Sequence, residues 1–219
     1  EGQGKGEVIL TPEQIQERIR QYEQIEQKRL DNPGFALTPG QRDAVELALS
    51  VDDRAVAVQG DAGTGKTTML QAVRVIAEEQ GYLVRGMSVS GSAAGTLEVE
   101  TGIQSHTVKM FLIKEQQAQK EIEAMQAAGQ EVHRGKEMWI VDESSFIGQW
   151  EMNHIMRLAE KAEAKVVFVG DVRQLSSPEA GKPFELGQKE GIKIAHMREI
   201  RRQKTDDLKE VVGNIVRGQ

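Results

Sequence analysis

Gly60-Asp61-Ala62-Gly63-Thr64-Gly65-Lys66-Thr67 is the stretch on which the fold turns. Its spacing is G-x-x-x-x-G-K-[ST], and its flanks complete the pattern. The apolar run Val56-Ala57-Val58 precedes it, and Thr68, Met69, Leu70, Ala72, Val73 and Ile76 follow at helical spacing, so strand, loop and helix succeed one another. Glycines are needed here because backbone N–H groups must wrap around phosphates at a helix N-terminus, where side chains would collide and the helix dipole favours anions. On this reading Gly60, Asp61, Ala62, Gly63, Thr64, Gly65, Lys66, Thr67 and Thr68 hold a nucleotide. Lys66 reaches the β- and γ-phosphates, and Thr67 offers its hydroxyl to Mg2+. The competing reading is a glycine-rich turn that binds nothing.

Outward from the loop the pattern is regular. Short apolar runs at Ala55–Val58, Leu83–Val89, Met138–Val141, Val166–Val169 and Ile192–Ala195 alternate with helical segments, the signature of a parallel sheet covered on both faces. Five core strands are expected. Thr11-Pro12-Glu13-Gln14 and Thr38-Pro39-Gly40-Gln41 each read as an N-cap, a first-turn proline and a capping-box glutamine, so each opens a helix. The first of these carries only Ile15, Ile19, Tyr22 and Ile25 as an apolar stripe, which reads as too narrow for a core helix. Lys114–His133, rich in Gln, Glu, Lys and Ala, reads as a solvated helical insertion.

Two further motifs stand at strand ends. Val141-Asp142-Glu143-Ser144-Ser145 would set an acidic pair facing the phosphates across a parallel sheet. Asp142 suits a direct or water-mediated Mg2+ contact, and Glu143 suits polarising the attacking water; a helix cap is the alternative use. Val169-Gly170-Asp171-Val172-Arg173-Gln174-Leu175 ends the next strand, where Gln174 could hydrogen-bond both the γ-phosphate and the lytic water, or could be a surface polar residue after a turn.

These motifs in this order, with Arg198-Glu199-Ile200-Arg201-Arg202-Gln203 downstream, resemble superfamily 1 helicases. The string is most similar to the first RecA-like motor domain of RecD-like helicases, and among them of conjugative relaxase-helicases of the TraI and TrwC type, over about Leu37 to Gly218. The resemblance implies a RecA-like P-loop NTPase domain, a three-layer α/β/α fold whose five-stranded core sheet is mainly parallel, preceded by a helical extension. The sensor strand, Val166–Val169, is expected between the P-loop strand and the Asp142-Glu143 strand. The implied boundaries are 1–36 for the extension and 37–219 for the motor domain, with the second RecA-like domain absent from this chain. The resemblance gives ATP and Mg2+ as cofactors, and Lys66, Glu143, Gln174 and Arg202 as catalytic, Arg202 as an arginine finger whose place within the Arg198, Arg201, Arg202 cluster is open by a residue. Gln41 would contact the adenine edge, or close the capping box begun by Thr38, or both. Ser90 and Thr107, near Gly86–Thr96 and Thr101–Thr107, would hold phosphates of single-stranded DNA through hydroxyls and amides that read no sequence; ordinary loop chemistry is the alternative.

The implied function is ATP hydrolysis in a single-stranded DNA translocase or helicase of 5′-to-3′ polarity serving conjugative plasmid transfer, with conjugation-machinery proteins as further partners. The isolated half-motor is expected not to unwind. Two alternatives stay open: a non-unwinding module that binds single strands or docks partners, and a RecD-type repair helicase.

Composition bounds these readings. A chain of 219 residues, 38% hydrophobic and 28% charged, suits one core with an appendage. It has no cysteine, so disulfide frameworks and cysteine metal sites are excluded, and its four histidines are scattered. No apolar run has membrane-spanning length, so membrane insertion is not expected and a cytoplasmic location is. The start at Glu1 within a Gly-rich stretch suggests a segment of something longer. A net charge of −6 gives no global attraction to nucleic acid, so a DNA contact must use local features.

Overall fold

The computed structural model describes residues 6–61, 63–170 and 192–197. In chain order they form α1 (Pro12–Arg29), α2 (Pro39–Ser50), β1 (Ala55–Gly60), α3 (Lys66–Glu79), β2 (Leu83–Ser88), α4 (Gly91–Thr101) and β3 (Gln104–Thr107). Then follow α5 (Val108–Ala127), β4 (Glu137–Val141), a 3-10 turn (Ser144–Phe146), α6 (Gln149–Ala162), β5 (Lys165–Gly170) and β6 (Lys193–Met197). Both anticipated capping boxes are formed, Thr11 with Gln14 and Thr38 with Gln41.

The strands lie in the order β3-β2-β4-β5-β1-β6, and every pairing is parallel. As expected, β5 separates β1 from β4. The sheet has six strands, not five. The unanticipated one, β3, pairs Ser105 with Gly86 and Thr107 with Ser88 at the sheet edge. Its sequence, Gln-Ser-His-Thr, has no apolar run to reveal it, because an edge strand need not bury both faces.

Alternate side chains of the central strands go to opposite faces, as the period of two dictates. Val56, Val58, Met138, Ile140, Val167 and Val169 pack with α1, α2, α3 and α4 residues in one core. Ala55, Ala57, Trp139, Val141, Val166 and Phe168 pack with α5 and α6 residues in the other. The result is the three-layer α/β/α arrangement anticipated from the motif string.

One local expectation is corrected and another holds with two exceptions. Ile15, Ile19 and Tyr22 of α1 are buried in the first core, with only Ile25 of the stripe exposed, so a narrow stripe suffices where Leu10, Phe35 and Leu37 widen the contact. The segment read as a solvated insertion, Lys114–His133, is helical to Ala127 and largely exposed, but Glu115 and Gln119 within it are buried, as are Val108, Phe111 and Leu112 just before it. Glu115 is fully buried because Arg85 reaches it at 2.9 Å and Arg134 donates to it at 2.8 Å, while both arginines also bond Glu137. Burial pushes the Glu115 carboxyl up, but the hydrogen bonds and charges of Arg134 and Arg85 outweigh it and hold the group below the ordinary glutamate range.

Candidate nucleotide-binding site

Parallel strands deliver their following loops to one edge of the sheet, which brings together the loops after β1 and β4 beside the end of β5. After β1 the chain turns through Gly63 (φ +79°) and Gly65 (φ +79°), the latter serving as N-cap of α3. A side chain is excluded at Gly60: an added Cβ would stand 2.8 Å from Thr64 Oγ1 and 3.3 Å from Met197 Cβ. Thr64 stiffens the loop by donating its hydroxyl to Asp61 O at 2.8 Å and its N–H to the same oxygen at 3.3 Å. The Lys66 ammonium donates to Gly60 O (2.7 Å) and Asp61 O (3.3 Å), which holds it over the loop. Ala62 lies outside the described residues, and Thr68 follows in the first turn of α3, partly buried.

Gln41 is wholly buried, with both ends of its amide engaged. Its Oε1 accepts from Thr38 N at 2.9 Å, closing the capping box, while Nε2 donates to Gly65 O at 2.8 Å. The cap of α2 is thereby fastened to the loop.

The acidic pair follows β4. Asp142 N donates to Met87 O (2.9 Å), extending the ladder by one residue, and Glu143 then adopts φ +52°, a left-handed conformation rare for a residue with a side chain. Ser88 Oγ donates to Glu143 Oε2 at 3.3 Å, and Ser144 Oγ donates to Val169 O at 2.8 Å. The turn presses so closely on β5 that a Cβ on Gly170 would collide with Ser145 Oγ and meet Ser144 Oγ at 2.9 Å. Burial pushes the Asp142 carboxyl above the ordinary aspartate range; Glu143 and Glu100 add repulsion, against a backbone hydrogen bond at Glu143 and the Lys66 charge.

The structure thus joins Lys66, Asp142 and Glu143 in one electrostatic neighbourhood. Thr67 belongs to it as well, donating its hydroxyl to Glu100 Oε2 at 2.9 Å. Mg2+ prefers hard oxygen donors, which the Thr67 hydroxyl and the Asp142 carboxylate are. The Asp142 carboxyl, whose ionisation is opposed by burial and by the neighbouring Glu143 and Glu100 charges, is relieved by a divalent cation, so Thr67 and Asp142 fit the ion. Gln174, Arg198, Arg201 and Arg202 lie outside the described residues.

Ser90 and Thr107 stand apart from this cluster. Each is a helix N-cap, Ser90 Oγ accepting from Ala93 N (3.1 Å) on α4 and Thr107 Oγ1 from Met110 N (3.2 Å) on α5. Together with Phe146, Trp150 and His154 they line a cleft of about 640 Å³. Trp150 is 68% exposed and meets the His154 ring edge-on, centroids 4.9 Å apart. Sequence reasoning passed over Trp150, although it falls off the buried stripe of α6 (Ile155, Leu158, Ala159, Ala162) and an aromatic there has no core to fill. Glu100 gave no such signal: it is one more acidic residue at the exposed tail of a helix.

Comparison with known proteins agrees with this architecture. The chain is 32% identical over 182 residues to the probable conjugal transfer protein TraA of Sinorhizobium fredii, covering 83% of this chain and 15% of that protein. It is 31% identical over 185 residues to the multifunctional conjugation protein TraI of Escherichia coli K12, covering 82% and 10%. The chain therefore spans only 10 to 15% of the length of these curated relatives. Among solved structures, the Pif1 helicase from Candida albicans superposes with a TM-score of 0.53 at 21% identity, covering 84% of this chain and 44% of that one, a likeness of fold. Conjugation proteins and a helicase fold are what the motif string resembles. No helix among the described residues is long and apolar enough to cross a membrane. With residues 36–219 matched by the family's model, the chain belongs to the AAA domain family.

Proposed function

We propose that this chain is the ATP-binding and ATP-hydrolysing motor domain of a single-stranded DNA translocase or helicase that serves conjugative DNA transfer with 5′-to-3′ polarity. The observation that carries the reading is the meeting of Lys66, Thr67, Asp142 and Glu143 at one end of the parallel sheet, beside a glycine loop with no room for a side chain at Gly60. Names of the relatives TraA and TraI support the conjugative setting, and polarity rests on the resemblance alone.

When bound, Mg2+ supplies positive charge that screens the phosphates and stabilises charge on the transferred group. Thr67 and Asp142 would hold that ion. Lys66, released from the loop carbonyls, pairs with the β- and γ-phosphates, and backbone N–H groups from Gly60 to Thr68 cradle them. Glu143, held by Ser88, takes the proton from the attacking water. Gln174 and Arg202 act as γ-phosphate sensor and arginine finger, and Gln41 adds an adenine contact to its capping role.

The single strand runs in the cleft at Ser90 and Thr107. A hydroxyl that caps a helix through a lone pair keeps its O–H for a phosphate oxygen. Phe146 and Trp150 offer faces on which bases stack, a sequence-tolerant contact that lets an acidic domain hold nucleic acid. Residues 1–36 are the extension to the motor domain, with α1 as its helix. In the longer protein a second RecA-like domain completes the ATP cleft, conjugation-machinery proteins are further partners, and the setting is cytoplasmic. The 219-residue chain by itself binds Mg2+-nucleotide without unwinding DNA.

The test is the ATPase rate of the full-length parent with and without single-stranded DNA. Strong stimulation supports the motor, and its absence supports a module that only binds strands or docks partners.

A further inference from the structure

α3 presents one polar stripe to the C-terminal end of α4: Thr67, Gln71 and Arg74 recur at the four- and three-residue steps that place side chains on a single helix face. Each meets the last turn of α4. Thr67 Oγ1 donates to the Glu100 carboxylate at 2.9 Å, and Gln71 Nε2 donates to the Glu100 main-chain oxygen at 2.5 Å. The Arg74 guanidinium packs against Gly102, the left-handed C-cap (φ +72°), so closely that a Cβ there would collide with it. One carbonyl at the end of α4, that of Glu100, thus accepts from the helix that begins the nucleotide site, and the Glu100 backbone is held beside Thr67.

The bond between Thr67 and Glu100 has a chemical direction. A carboxylate only accepts, so the threonine must donate its proton to it. A hydroxyl that has given its proton to a carboxylate turns its lone pairs elsewhere and becomes a better ligand for a cation.

We propose that Glu100 is a positioning residue for the divalent cation of the nucleotide site, acting through the Thr67 hydroxyl that it orients. The proposal rests on the nucleotide reading of the glycine loop. The proposed site gives Glu100 no contact to phosphate or to the attacking water, so its removal weakens the cation and leaves metal-free nucleotide binding as it was.

The experiment is a Mg2+ titration of fluorescent ADP-analogue binding to the 219-residue chain, comparing wild type, Glu100→Ala and Glu100→Gln, each also measured in EDTA. Thermal unfolding confirms that all three fold alike, as an exposed side chain permits. The Mg2+ midpoint rises about 10-fold in Glu100→Ala, the lower end of what loss of a group orienting a metal ligand costs. Glu100→Gln, which keeps an acceptor oxygen for the hydroxyl, recovers most of that loss, and affinity in EDTA is the same in all three. A midpoint unchanged in Glu100→Ala overturns the proposal while leaving the nucleotide reading intact. Equal weakening with and without Mg2+ also overturns it, marking Glu100 as structural. If nucleotide affinity of the wild type ignores Mg2+, the underlying reading falls and the proposal with it.

Discussion

The buried amide of Gln41 donates to the main-chain oxygen of Gly65 at 2.8 Å, so the residue that caps α2 also braces the glycine that opens α3. Two helices that meet at the nucleotide site are therefore locked by one side chain. Gln41→Ala removes the capping-box return bond and the tie to Gly65 together, and is expected to cost about 1–2 kcal/mol of unfolding free energy. Chemical denaturation measures this. On the proposed adenine contact, the same variant also loses preference for ATP over GTP in competition binding, and a preference kept intact would leave Gln41 as a brace alone.

Glu143 sits in a left-handed conformation, fastened by Ser88 and followed by a turn pressed on Gly170. A carboxylate held so firmly suits a positioned base. Glu143→Gln in the full-length parent is expected to keep ATP affinity while slowing hydrolysis about 10²–10⁴-fold. Rapid-quench turnover and equilibrium binding on one preparation separate the two, and parallel loss of both would mark the residue as structural.

Away from the site, Glu115 governs acid stability. Its folded-state carboxyl is held below the ordinary value of 4.5 by Arg134 and Arg85 against the penalty of burial. An acid depressed in the folded state contributes stability above its unfolded pKa, and that contribution fades as pH falls through the folded value. Denaturation midpoints should therefore drop as pH is lowered below 4.5. Glu115→Gln, which leaves Glu137 as the carboxylate partner that Arg85 and Arg134 keep, should cost about 1.5–3 kcal/mol at neutral pH, the worth of a hydrogen bond to a charged group, and flatten the acid dependence.

How much of this was legible beforehand follows from what each segment must do. β1, β4 and β5 are buried on both faces and had to be written as apolar runs, and the loop after β1 had to be written in glycine. β3 escaped because its inward Ser105 bonds Ile103 O beside Gly86, where no larger side chain fits, so polar residues do the work of apolar ones. The buried half of α5 escaped for a related reason: Glu115 and Gln119 look solvated unless Arg85 and Arg134, distant in the chain, are known to converge on the same point. Asp142 and Glu143 could be found by their place after an apolar run. Glu100 could not, since nothing in the spacing of α4 tells that its last turn abuts Thr67.

The cleft at Ser90 and Thr107 yields an optical test. Trp150 is 68% exposed on its wall, so a stacked base should quench its fluorescence, saturably and with little sequence preference, in titrations with homopolymeric oligonucleotides at low salt. Trp150→Ala should weaken binding by about 1–3 kcal/mol, the worth of one stacked base. Affinity that is unchanged in Trp150→Ala and in Thr107→Ala would move the strand elsewhere.

The most direct test of the account is the affinity of the 219-residue chain for a fluorescent ATP analogue, with Mg2+ present, in wild type and in Lys66→Ala. The Lys66 ammonium is held over the glycine loop by Gly60 and Asp61 and is the side-chain cation the loop supplies to the phosphates. The account predicts one saturable site in the wild type and a loss of about 1.5–3 kcal/mol in the variant, the worth of a hydrogen bond to a charged group, with the fold unaltered by circular dichroism. Equal affinity in the two proteins would contradict the assignment of the loop, and with it the nucleotide site from which the proposed function is built.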